Sequence, residues 1–126
     1  MNAKSMNKAV GKFGEDAACR YLEKLGWKIL ARNYRYSRYA EIDIVAKDNG
    51  TIVFVEVKAR STTDFGHPFE AVNYKKLQNI FKAGLAYLKG SSESYKRYRI
   101  DIISVLGKSG TKTEPKIEHL KDVSLN

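Results

Sequence analysis

Cysteine is nearly absent from this chain. Cys19 stands alone among 126 residues, which excludes an intrachain disulfide and a thiolate zinc cluster. Its small-residue helical setting points to buried packing rather than redox chemistry. Histidine is almost as scarce, and neither His67 nor His119 falls at a metal-ligand spacing. Both are read as incidental, with His67 in a surface or turn role. No apolar run approaches the roughly 18 residues that a membrane span requires. The lysines among the first eight residues are not followed by an apolar h-region, so no secretory signal is expected and a cytoplasmic location is the simplest expectation. There is no internal repeat and no low-complexity tract, and the length suits a single domain, 1–126, with a modest core.

Acidic residues are outnumbered. Lys and Arg total 23 against 14 Asp and Glu, a net charge of +9, which favours a polyanionic partner such as nucleic acid. Placement adds to the balance: Arg32, Arg35 and Arg38 interleave with Tyr34, Tyr36 and Tyr39, and Lys96, Arg97 and Arg99 with Tyr95 and Tyr98. Such segments can hold phosphates and stack bases. The competing reading is that they are solvated strands and loops whose charges block edge-to-edge aggregation.

Helical spacing from about Lys8 to Leu25 places Val10, Phe13, Ala17, Ala18, Tyr21, Leu22 and Leu25 on one face, and Gly26 stops the run. Glu15 points along that buried edge and is its odd member. A strand from about Trp27 to Tyr34 follows, with Trp27 as a core anchor. Then come the strands Ala40–Ala46 and Thr51–Lys58, joined by the turn signal Asp48-Asn49-Gly50. Ser61 to Pro68 reads as a loop. A second helix from about Phe69 to Leu88 carries Val72, Leu77, Ile80, Phe81, Leu85 and Leu88 on its core side, and Lys75, Asn79, Lys82 and Lys89 along another. Tyr98–Leu106 reads as a fourth strand, parallel through the helical crossover. Within it, Asp101 suits a buried structural ion pair. Lys116–Lys121 could add a short edge strand. The class is α/β, a mixed sheet built from an antiparallel meander plus a parallel strand, flanked by helices.

Three charged side chains interrupt the apolar strands: Asp43, then Glu56 and Lys58. Period two puts Glu56 and Lys58 on one face, and hairpin pairing in a suitable register brings Asp43 beside them. Desolvated charges are costly unless paired or holding a metal, so the cluster marks a site. Asp43 and Glu56 offer hard oxygen ligands for Mg2+ or Mn2+. Lys58 could orient a water or offset developing charge, and Glu15 could bind the metal or accept a proton. Glu41, two residues before Asp43, is an additional candidate, or else the partner of a neighbouring arginine.

Asp43, twelve intervening residues and then Glu56-Val57-Lys58 resemble the PD-(D/E)xK nuclease superfamily. More closely, Gly14-Glu15-Asp16-Ala17-Ala18, Ala31-Arg32-Asn33-Tyr34-Arg35, Glu41-Ile42-Asp43-Ile44-Val45-Ala46 and Val53-Phe54-Val55-Glu56-Val57-Lys58-Ala59-Arg60 are similar to the bacterial YraN family, also called UPF0102. That resemblance extends through Ala71-Val72, Lys75, Ala86-Tyr87-Leu88 and Arg99-Ile100-Asp101. It implies a restriction-endonuclease-like three-layer core related to Holliday-junction resolvases. Carried over residue by residue, it implies metal-binding acids at Asp43 and Glu56, a catalytic lysine at Lys58 and a first-helix acid at Glu15. Ile42 stands at the proline of the motif's name, and Ala40 where the family usually has glycine. The implied function is metal-dependent hydrolysis of DNA, branched or structured DNA included, with a homodimer by analogy; the basic residues Arg32, Arg35, Arg38, Lys75 and Lys82, read from charge placement, are the expected nucleic-acid contacts. Two alternatives stand beside it: a non-cleaving nucleic-acid-binding protein on the same fold, and an RNA-processing factor.

Overall fold

A computed structural model describes residues 3–61, 73–108 and 110–124, with side chains described from Ala9 onward. The expected loop at 62–68 with His67, and the expected helix start at 69–72 with Val72, lie outside the described residues.

The chain runs α1 (Ala3–Lys24), β1 (Lys28–Arg35), β2 (Glu41–Asp48), β3 (Thr51–Arg60), α2 (Tyr74–Gly90), β4 (Arg97–Leu106) and β5 (Lys116–Leu120). Its five strands form one sheet in sequential order. β1, β2 and β3 are an antiparallel meander, β4 joins β3 in parallel, and β5 closes the edge antiparallel to β4. The mixed α/β sheet read from the sequence is therefore present. Neither helix among the described residues is long and apolar enough to cross a membrane.

Each face of the sheet carries its own core. On the α1 side, Ala17, Ala18, Cys19 and Leu22 pack on Ile44, Ala46, Val53, Val55, Ile103 and Val105. The helix approaches closely because its contact residues are small. Gly14 faces Ala59 so tightly that a Cβ there would run into the Ala59 methyl. On the α2 side, Leu77, Ile80 and Ala83 cover Ile42, Val45, Ile52, Phe54 and Ile100. Alternation along β3 thus aims Val53, Val55 and Val57 at α1, and Ile52, Phe54 and Glu56 at α2.

Helix ends follow local chemistry. Gly26 adopts φ 89, the left-handed stop glycine favours, and the Trp27 amide donates back to Leu22 O at 3.1 Å. The helix has ended by then, which is why Leu25, expected on the core stripe, is 48% exposed. α2 begins at Asn73, whose Oδ1 accepts the Lys76 amide at 2.9 Å. Leu85 likewise departs from its expected core position and is exposed. The buried stripe turns instead onto Ala83 and Gly84, where the Phe54 ring leaves no room for a larger side chain.

Candidate active site

Asn49 takes the left-handed φ of 54 in the β2–β3 turn, which fixes the register Asp48↔Thr51 through Ile44↔Val55. One step further, Asp43 meets Glu56. Backbone pairing is not continued there: Asp43 Oδ2 accepts the Val57 amide at 2.8 Å, so a side chain takes the place of the ladder carbonyl. The regular alternation of β2 also slips at this point. Ile42 and Val45 both pack on the α2 side, whereas Ile44 and Ala46 pack on the α1 side. Opposite the slip, β1 places Asn33 at φ 52.

The two carboxylates are desolvated together. Glu56 is 5% exposed, and its Oε2 is buried without a hydrogen-bond partner among the described residues. Lys76 Nζ lies 3.4 Å from that oxygen, near enough to pair in charge but not aligned to donate. Burial, reinforced by the hydrogen bond and negative charge of Glu56, pushes the Asp43 carboxyl up to about 8, although the Val57 amide and Lys76 pull the other way. This is the behaviour of adjacent acids that cannot both ionise freely.

Glu15 approaches from α1. Burial raises its pKa, and so does the charge of Asp43, while hydrogen bonds from Asn33 and Arg32 offset part of the rise. Its neighbour Gly14 lets α1 lie close enough to β3 to bring it there. Lys58 continues the Glu56 face by alternation and pairs in register with Ser104. Asp43 thus lies against Glu56 and within electrostatic reach of Glu15, while Lys58 is placed two residues beyond Glu56 by strand alternation. No three His, Cys, Asp or Glu among the described residues converge tightly enough to hold a metal ion.

Other expected positions are arranged differently. Glu41 pairs with Arg35 at 3.2 Å on the surface, the alternative foreseen for it. Arg32 is held by Asp16 at 2.8 Å and by Glu15 at 3.4 Å. Arg38 lies over the Tyr39 ring, 5.5 Å from its centroid. Lys75 and Lys82 are exposed on α2. Ala40 is buried in the α2-side core without a left-handed backbone, so its methyl is accommodated. Cys19 is buried as expected, and burial raises its thiol pKa. Lys76 was not singled out from the sequence. Its signal is its place one residue before core Leu77, on the helix that must cover the Glu56 face.

His119 corrects the reading of an incidental residue. Its Nε2 lies 2.8 Å from Asp101 Oδ2 and its Nδ1 3.0 Å from the Tyr21 hydroxyl. Asp101 is wholly buried and also accepts from Arg99 Nε and the Asp122 amide, each at 2.9 Å. Burial alone would raise its pKa, but the hydrogen bonds from His119, Arg99 and Asp122 outweigh it and hold the carboxyl below its ordinary value. The structural role expected for Asp101 is the one observed, and Trp27, 6% exposed, packs edge-on against His119 as a core residue.

Residues 14–105 match the model of the uncharacterised protein family UPF0102. The chain is similar to the UPF0102 protein of Syntrophomonas wolfei, 43% identical over 115 residues that cover 91% of this chain and 96% of that one. It is also similar to the UPF0102 protein of Persephonella marina, 48% identical over 96 residues, or 76% of this chain and 82% of that one. A third relative, from Pseudarthrobacter chlorophenolicus, is 42% identical over 124 residues, covering 98% and 89% of the two chains. The matched span contains α1 from Gly14 onward, the acid-bearing hairpin, α2 and nearly all of β4, and the chain belongs to the UPF0102 family.

Proposed function

We propose that this protein is a Mg2+- or Mn2+-dependent nuclease of restriction-endonuclease-like fold, acting on DNA, branched or structured forms included. The observation that carries the reading is the abutting pair Asp43 and Glu56, desolvated together, with Glu56 Oε2 lacking a hydrogen bond among the described residues. An oxygen-only, doubly acidic donor set suits a hard divalent cation, which keeps waters and completes its shell with substrate phosphate. Asp43 and Glu56 would hold the ion, with Glu15 able to join through water. Bound there, the ion would supply Lewis-acid activation of the scissile phosphate. Lys58, next on the Glu56 face, serves to orient the attacking water and offset charge developing on the phosphate oxygens. Glu15, its affinity for protons raised by burial and then by the charge of Asp43, is suited to take up the water's proton.

The test is cleavage of labelled single-stranded, duplex and four-way-junction DNA and structured RNA in Mg2+, Mn2+ or EDTA, comparing wild type with Lys58→Ala. Cutting that requires metal and disappears in the variant supports the nuclease. Cutting unchanged in the variant overturns the assigned role. A second reading, a nucleic-acid-binding protein without cleavage, is favoured by one observation: Lys76 already pairs with Glu56. Under it no substrate is cut, and Asp43→Ala leaves affinity unchanged or raises it.

A further inference from the structure

The tyrosine-bearing β1–β2 connection and the lysine ridge of α2 face each other across a trough. One wall is the β1–β2 connection, where Tyr36 and Tyr39 project, 59% and 72% exposed. The other is the outer side of α2. One depression is lined by Tyr36, Tyr39, Lys75, Asn79 and Lys82, and the next, also bordered by Tyr36 and Lys82, continues to Lys89. Shared Tyr36 and Lys82 make the two continuous. The tyrosine wall is a closed turn: the Tyr36 amide donates to Ala40 O at 2.9 Å, and the Ala40 amide back to Ser37 O at 3.3 Å. Arg38 over Tyr39 adds a cation to the same wall.

We infer that this trough holds an unpaired polynucleotide strand, with bases stacked on Tyr36 and Tyr39 and phosphates along Lys75, Lys82 and Lys89. Duplex bases are already stacked on one another and offer no free face to a tyrosine, so a wall of exposed aromatic rings opposite a lysine ridge selects the unpaired form. The ridge is regular, since seven residues make nearly two helical turns, and from Lys75 to Lys89 it spans about 21 Å. Its Lys75 end adjoins Lys76, which touches Glu56, and Ala40 on the same lining leads directly into Glu41–Asp43. A strand in the trough therefore runs toward the acid pair. The inference rests on the nucleic-acid reading given above but not on cleavage.

Fluorescence anisotropy in EDTA tests it, using labelled oligothymidylate, oligouridylate and a mixed-sequence duplex. The unpaired probes are expected to bind more tightly than the duplex. Tyr36→Ala and Tyr39→Ala should each weaken unpaired binding by about fivefold to a hundredfold, leave duplex binding unchanged, and be rescued by phenylalanine at the same positions. Lys82→Gln should reduce the slope of affinity against salt. The comparison of oligothymidylate with oligouridylate identifies which sugar is preferred. Duplex preference, binding indifferent to both tyrosines, or no binding of any probe overturns the inference. Unpaired-strand binding without metal-dependent cutting would remove the nuclease and leave the trough assigned. Cutting with tyrosine-independent binding would do the reverse.

Discussion

The carboxylate of Asp43 accepts the amide of Val57 at 2.8 Å, one residue beyond the end of backbone pairing between β2 and β3. The same group has its pKa pushed up to about 8 by burial and by Glu56. In the unfolded chain it ionises near its ordinary value, so between about pH 4 and pH 8 the folded form keeps a proton that the unfolded form has lost. Its contribution to stability therefore falls as pH rises, by at most about 1.4 kcal/mol per pH unit. Asp43→Asn keeps an oxygen for Val57 and removes the titration. Urea unfolding in EDTA should give the variant a flatter profile from pH 5 to 8 and a higher midpoint than wild type at pH 8. Asp43→Leu strands the Val57 amide as well and should cost roughly 1–3 kcal/mol.

Lys76 pairs with the buried oxygen of Glu56 at 3.4 Å, but 41% of its side chain is exposed. Solvent screening limits its worth, so Lys76→Met should lower stability by only about 1 kcal/mol. It should also enlarge the rise in melting temperature produced by Mn2+, because the ammonium that competes for Glu56 is gone. A variant that loses both stability and the Mn2+ response would instead make Lys76 part of the binding machinery.

Asp101 predicts the opposite pH behaviour. Its carboxyl is held below its ordinary value by His119, Arg99 and the Asp122 amide despite complete burial. A depressed carboxylate contributes stability above its unfolded pKa and loses it as pH falls through the folded value. Acid unfolding of wild type should therefore reflect this group, and Asp101→Asn should have a less steep acid transition from a lower starting stability. His119→Ala leaves Asp101 short of one partner and Tyr21 of another, and should cost about 2–4 kcal/mol in urea unfolding at pH 7.

Gly84 lies over the Phe54 ring, and a Cβ there would stand 2.5 Å from Cε2 and 2.8 Å from Cδ2. Gly84→Ala should destabilise by about 1–3 kcal/mol through overpacking. Pairing it with Phe54→Leu should recover part of that loss, and a double-mutant cycle measures the coupling.

Much of the sheet was readable because its signals are local. Asp48-Asn49-Gly50 sets the hairpin, β-branched runs mark β2, β3 and β4, and the helix between β3 and β4 requires a parallel return. The acid pair was readable for the same reason, since period two and one turn fix which residues can meet. His119 was misread because its partners come from α1 and β4: Tyr21 is 98 positions away and Asp101 is 18. Leu25 and Leu85 were placed in the core by helical spacing, which specifies a face but not where the helix stops or how closely it packs. Lys76 met Glu56 only once α2 had been laid on the sheet, a relation that no periodicity within either element contains.

Both acids of the central pair ride on one hairpin, whereas the lysine beside them arrives on α2, between strands whose pairing needs the chain beyond Arg97. A two-residue turn closes at smaller entropic cost than that longer connection, and a hairpin that forms first brings like charges together before their counter-charge docks. In that order the hairpin would carry an internal brake on folding. Mildly acidic solution or a divalent cation, by easing the repulsion between Asp43 and Glu56, should release that brake and speed refolding, and Asp43→Asn should refold quickly without either.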